Sequence, residues 1–235
     1  MTPNVLCLGP WMPDSPWRFF ADALQYAGCR VVRVGPQVFA NYSHGELPPV
    51  HTMGIFEPRL GGREGYLPEP LRFSYRPIVS GLGERGFETQ VMLVHPEILP
   101  SMVDKPPSGL RFVEWEPVYG CDPYVHVWTN KGERTGIYDV TKEYPGSIRA
   151  HVERMNAARV VLAPKERLWE ARACGAAARL DVAGAAAALD DYNSLDPEEI
   201  ERAYAETLNK HTYFHHACAF LEKLGYERAM PRLWT

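Results

Sequence analysis

Short apolar runs alternate along this chain with stretches whose apolar residues recur at helical spacing, and that alternation predicts an α/β protein. Asn4–Leu8 is the first apolar run and reads as a strand. The segment GPWMPDSP reads as a loop, residues 17–26 as an amphipathic helix ended by Gly28, and residues 29–34 as a second strand. Such a βαβ opening belongs to a parallel sheet, whose ligands gather at the carboxyl ends of the strands. Residues 36–77 are rich in Pro, Gly, Tyr and His, lack periodicity, and form too long a stretch for an ordinary connection. They read as an elaborated loop region facing an acceptor.

The pattern resumes with a short helix over 76–86, followed by TQVMLVHP and LRFVEWEP as strands. Residues 121–140 read as a strand and turn, or as a hairpin crossing between two halves. Residues 147–158 predict a helix, Val160 to Leu162 a buried strand, and Ala163-Pro164 the turn out of it into a helix that begins near Lys165. Residues 176–182 are the next strand candidate, and AGAAAALDD is compatible with either state. LDPEEIERAYAETL carries a helix start, with Asp196 as N-cap, Pro197 at the first position and Glu199 completing a capping box. A last helix over 211–224 stops at Gly225. The expected architecture is two Rossmann-like halves, 1–140 on the acceptor side and 141–235 on the donor side.

Composition narrows the class without changing it. An apolar fraction of 46% and a charged fraction of 23% are ordinary for a globular chain, and a net charge of −4 exerts no global pull on nucleic acid or an anionic membrane. The five cysteines are odd in number and scattered, which fits reduced thiols and a cytoplasmic protein. Neither a signal-peptide pattern nor an apolar run of membrane-spanning length is evident, so no membrane partner is expected. The first loop lacks the Gly-x-Gly-x-x-Gly pattern, and the second strand ends in Arg33-Val34-Gly35 without an acidic residue for a ribose, so the opening does not make a convincing dinucleotide site.

Candidate chemistry concentrates in RLWEARACG, residues 167–175. Arg167 and Glu170 stand three apart and are neighbours on one helical face. A helix starting near Lys165 would offer free N–H groups and a positive dipole end to a diphosphate, with Lys165 and Arg167 adding full charges. Gly175 and the small residues around it would let the helix approach the sheet closely. The histidines at 211, 215 and 216 have a spacing that places two on one face, but without the Glu of His-Glu-x-x-His or a third ligand they make a weak metal signal. In the Trp-rich first loop Asp14 is the carboxylate available as a base on the acceptor side. Asp122, in CDPY, is a weaker candidate better explained as a turn former.

Three elements in order, RLWEARACG, LDPEEIERAY and the HTY at 211–213, resemble the nucleotide-sugar half of GT-B-fold glycosyltransferases, most closely the spore-coat CgeB-type branch, in a compact version. The resemblance covers about the last third of the chain. It implies a metal-independent transfer of a sugar from a nucleoside-diphosphate donor, such as a UDP-sugar, to a hydroxyl. Glu170 would accept the ribose diol, Lys165 and Arg167 would hold the diphosphate, and Gly175, His211 and Tyr213 would complete the donor site. The donor is then a cosubstrate and no cofactor is required. Protein, small glycans and hydroxylated DNA bases all remain open as acceptors. The shortness of the chain keeps one alternative in view, a nucleotide-sugar-binding or partner-binding protein that has lost catalysis.

Overall fold

The computed structural model describes residues 2–9, 11, 15–35, 74–102, 108–142, 147–190 and 196–226. Asp14 and residues 36–73, the greater part of the loop region read at 36–77, lie outside them. The chain divides into two compact units, Met1–Pro117 with Leu221–Thr235, and Val118–Phe220. Both are built on parallel sheets. The boundary therefore falls earlier than position 140, because residues 135–139 pair with a strand of the second unit.

In the first unit β1 (Asn4–Leu8), α1 (Pro16–Tyr26), β2 (Arg30–Val34), α2 (Arg76–Glu84), β3 (Val91–Val94) and β4 (Arg111–Glu114) follow one another, and the sheet order is β2-β1-β3-β4. Uninterrupted apolar sequence puts β1 and β3 in the middle, where both faces are covered. Leu6 lies opposite Val32 on one side and Met92 on the other. The Ser15 hydroxyl accepts the Arg18 N–H and starts α1, which buries Trp17, Phe20 and Leu24 on the sheet. Tyr75, Ile78 and Leu82, on α2 and at its start, pack against Leu6, Met92 and Val94. Arg33 turns towards α1 and pairs with Asp22.

The strand order reverses between β1 and β3, the place where open α/β sheets hold ligands. Here that crevice is filled by aromatic rings. Trp17 lies 5.3 Å from both Trp11 and Trp115, and His95 stacks on Trp115 at 5.3 Å. Gly9 makes room for them, since a Cβ there would come within 2.5 Å of the Trp17 indole nitrogen. The Trp-rich loop contributes core at this edge: Trp11, Trp17 and Trp115 are all buried.

The second unit contains β5 (Thr135–Asp139), α3 (Ile148–Ala157), β6 (Ala158–Leu162), α4 (Leu168–Ala173), β7 (Ala177–Arg179), α5 (Val182–Asp190), α6 (Pro197–Lys210) and the start of α7 (Tyr213–Lys223). Its sheet order is β5-β6-β7. No hairpin forms over 121–140: β5 is the only strand there, and it pairs in parallel with β6 across the α3 crossover. The alanine-rich segment settles as α5, since alanine is the best helix former and gains nothing from a pleated surface. Asp196 caps α6 by accepting the Glu198 N–H, and Gly225, at φ 78°, follows the end of α7. All five cysteines are free and buried. Among the described residues no helix is long and apolar enough to cross a membrane.

Candidate functional site

Leaving β6, the chain passes Ala163 and Pro164, makes one 3-10 turn over Lys165–Arg167, and enters α4 at Leu168. The helix thus starts three residues later than its sequence suggests and has only six residues, too few for its dipole to carry an anion site. What the turn does is bring Arg167 against Glu170. One guanidinium nitrogen, Nη1, donates to both carboxylate oxygens at 2.9 Å. The two partners differ in exposure: the arginine side chain keeps 17% of its surface in solvent and the glutamate none.

Two histidines absent from the sequence reading complete the surroundings of Glu170. His126 Nε2 lies 3.7 Å and His151 Nε2 3.8 Å from Oε2, close electrostatic contacts rather than full hydrogen bonds. His126 is fixed by the Asp-Pro turn: its backbone N–H donates to the Asp122 carbonyl at 2.7 Å, and the Asp122 N–H donates to its Nδ1 at 3.1 Å. Because that backbone N–H can only donate, Nδ1 accepts and the proton of the neutral ring sits on Nε2, facing Glu170. His151 rides in the first turn of α3, which Ser147 caps, and its Nδ1 lies 2.9 Å from the Tyr138 hydroxyl. Tyr138 is the penultimate residue of β5. Tyr138, His151, Arg167 and Glu170 thus gather at the carboxyl edge of the sheet, with His126 brought to them by the turn. Asp122 itself is a turn former, as its sequence suggests, with Oδ1 accepting the Tyr124 N–H at 2.8 Å.

The charges follow from burial and pairing. Burial pushes the Glu170 carboxyl up, yet His126 and Arg167 outweigh it and hold it below the ordinary carboxylate value. Burial drives His126 down to about 4, against the pull of Glu170. A histidine titrating near 4 cannot carry the counter-charge at neutral pH. The permanent guanidinium does, and His126 acts as a neutral N–H dipole.

This arrangement predicts acid sensitivity. Between pH 6.5 and about 4 the unfolded chain binds a proton at position 126 that the folded chain refuses, so the stability present above pH 6.5 is lost as pH falls through that window. The expected loss is about 2 kcal/mol by pH 5. Urea unfolding at pH 7.5 and 5.0 should show it, and in a His126→Gln variant that share of the pH dependence should disappear.

The remaining residues singled out by sequence scatter around this centre. Lys165 is exposed. Tyr213 is buried; its phenol is pushed far up by burial and then by the Glu170 carboxylate, so it belongs to the same neighbourhood. The ring of His211 stacks on Trp169 at 3.7 Å, and the Arg172 guanidinium lies 5.0 Å from the centre of the same indole. His215 bonds Thr212 and His216 the Tyr119 carbonyl, so the three histidines of the cluster engage three different partners. Gly175 lies at the C-terminal end of α4 and serves packing: a Cβ there would sit 2.2 Å from the Trp128 indole. A small open groove lies over β7, bordered by Arg172 and Arg179 and by Glu199 and Ile200 of α6.

No family model matches the chain, and no curated protein or solved structure matches it.

Proposed function

We propose that the Val118–Phe220 unit binds a nucleoside-diphosphate sugar and that the protein is a glycosyltransferase, its two parallel α/β units being the halves of a compact GT-B-like enzyme. The observation that carries this reading is the pairing of a part-exposed guanidinium with a fully buried carboxylate just beyond the carboxyl end of β6. A structural surface ion pair would leave both groups in water and contribute under about 1 kcal/mol. Burying one of them at a strand's carboxyl edge costs stability and is typical of a site that recognises a polar ligand. Arg167 is the group to meet a diphosphate, whose negative charge grows as the sugar departs; a fixed cation lowers that barrier. Glu170 is the group to accept the ribose hydroxyls. The sugar would pass to a hydroxyl of a protein, a glycan or a hydroxylated DNA base.

The second reading is a donor-binding protein without transfer; in either reading Glu170 has no exposed surface, so the closed network must open before a ribose can reach it. A thermal-shift panel of uridine and guanosine diphosphate sugars tests what both readings share. At a hundredfold excess over Kd the true donor should stabilise the protein by about 2.7 kcal/mol, a rise of several degrees in Tm. Donor hydrolysis then separates the two, since the transferase releases sugar slowly to water and the binder does not.

A further inference from the structure

We infer that His126 and His151 are positioning residues for Glu170: when a donor's diphosphate draws Arg167 off the carboxylate, the two imidazoles keep it in place and His126 takes up a proton to balance its charge. This rests on the donor reading above.

The geometry separates a movable partner from two fixed ones. Arg167 stands in a single 3-10 turn, keeps part of its side chain in solvent, and holds Glu170 through one nitrogen. His126 is clamped by Asp122 through both its backbone and its ring, and His151 by its place on α3 and the Tyr138 hydroxyl. Both imidazoles are buried, and both present Nε2 to the same oxygen. Among the described residues Cys121, Cys174 and Tyr213 are also coupled to Glu170, each pushed up by burial before this carboxylate adds its share; Asp122 acts on Cys121 as well, and Arg134 on Cys174. The thiols and the phenol are neutral at pH 7 and cannot supply a positive charge.

A buried carboxylate stripped of its cation is left with an uncompensated desolvation penalty. Protonating an imidazole already aimed at it removes that penalty. His126 is neutral in the present arrangement because burial, Arg167 and His151 all oppose its charge. Moving Arg167 onto phosphate lifts one of these and leaves the attraction of Glu170, so the proton equilibrium tips towards imidazolium. Donor binding and proton uptake then become one linked event.

Isothermal titration of the full chain with UDP-glucose and GDP-mannose, at pH 6.5 and 8.0 in buffers of contrasting ionisation enthalpy, tests this. Both phosphates of these probes are diesters with no proton to exchange in that range, so any uptake belongs to the protein. The expected result is uptake approaching one proton per donor at pH 6.5, with affinity falling by up to about tenfold per pH unit at the alkaline end. His126→Gln keeps an N–H donor towards Glu170 and cannot titrate; its proton uptake should fall by at least half, and its weakened affinity should lose most of the pH dependence seen in wild type. His151→Gln is the parallel variant. Should either fail to fold, the imidazole resonances of the wild-type protein, followed by NMR to donor saturation, report the same protonation. Binding with no proton uptake, or uptake unchanged in His126→Gln, would overturn the positioning role and leave the donor reading standing. No binding of any diphosphate sugar overturns both.

Discussion

Replacing Glu170 with alanine is expected to destabilise the protein by about 3–5 kcal/mol, the range for breaking a buried ion pair from one side. The carboxylate accepts from Arg167 and lies 3.7 and 3.8 Å from the Nε2 atoms of His126 and His151, so its removal breaks the ion pair and takes the nearest charge from two buried imidazoles at once. Arg167 can regain some water through its exposed part; the imidazoles cannot. Glu170→Gln should be milder, since it keeps the shape and one oxygen, yet it turns an amide NH2 towards N–H donors and leaves the guanidinium without a counter-charge. Converting both Arg167 and Glu170 to methionine should recover part of the loss, because a buried pair replaced as a unit by apolar groups is often near neutral. Urea unfolding followed by tryptophan fluorescence measures all three. The damage should fall on the transition of the Val118–Phe220 unit and leave the Met1–Pro117 unit largely untouched. A loss below 1 kcal/mol for Glu170→Ala would mean that the carboxylate is solvated in solution, and the network described above would lose its physical basis.

Much of the scaffold was legible because its signals are local. The apolar runs at 4–8, 91–94 and 160–162 are strands, and the Asp196 cap begins a helix where side-chain capping chemistry says it should; Ser15 and Ser147 also cap helices, which the apolar periodicity alone locates. Where the reading failed, a tertiary effect decided. Residues 121–134 show apolar alternation in YVHVW, yet no strand forms there; their backbone instead folds around Asp122 and docks on Thr212 through a single parallel bridge from Cys121. The contact between Arg167 and Glu170 followed from their spacing. The burial of Glu170 did not, because it depends on His126 and His151, which lie 44 and 19 residues upstream (170 − 126 and 170 − 151). The usable signal was weak: a histidine between two valines at 125–127, and another in the first turn of a predicted helix. Pairing them with position 170 required knowing that β5 and β6 are neighbours, since that adjacency puts the N-termini of α3 and α4 side by side.

Gly175→Ala carries the other large effect, expected at about 3–5 kcal/mol, and it distinguishes a scaffold role from a donor role for this residue. Two costs add. Gly175 sits at φ 67°, where its N–H donates to the Arg172 carbonyl and that of Ala176 to Ala171, closing the end of α4; an alanine in this left-handed position costs about 1–2 kcal/mol. Its Cβ would also come within 2.2–2.6 Å of three atoms of the Trp128 indole. That ring is poorly placed to retreat. Its Nε1 donates to the Asn130 carbonyl at 2.7 Å, Tyr204 meets it edge-on at 5.5 Å, and the Arg134 guanidinium covers it at 5.4 Å. Arg134 is tied in turn to the carbonyls of Asn130, Ala158 and Cys174. A displaced indole therefore strains the joint between α4, the end of α3 and the start of β6. Trimming Trp128 to leucine in the Gly175→Ala background should return part of the stability, and a double-mutant cycle gives the coupling. At a temperature where the variant is still folded, its affinity for UDP-glucose or GDP-mannose should stay within about threefold of wild type, since the glycine acts through Trp128 and not at the carboxylate. A variant of normal stability that has lost donor affinity would reverse that assignment and move Gly175 into the donor site.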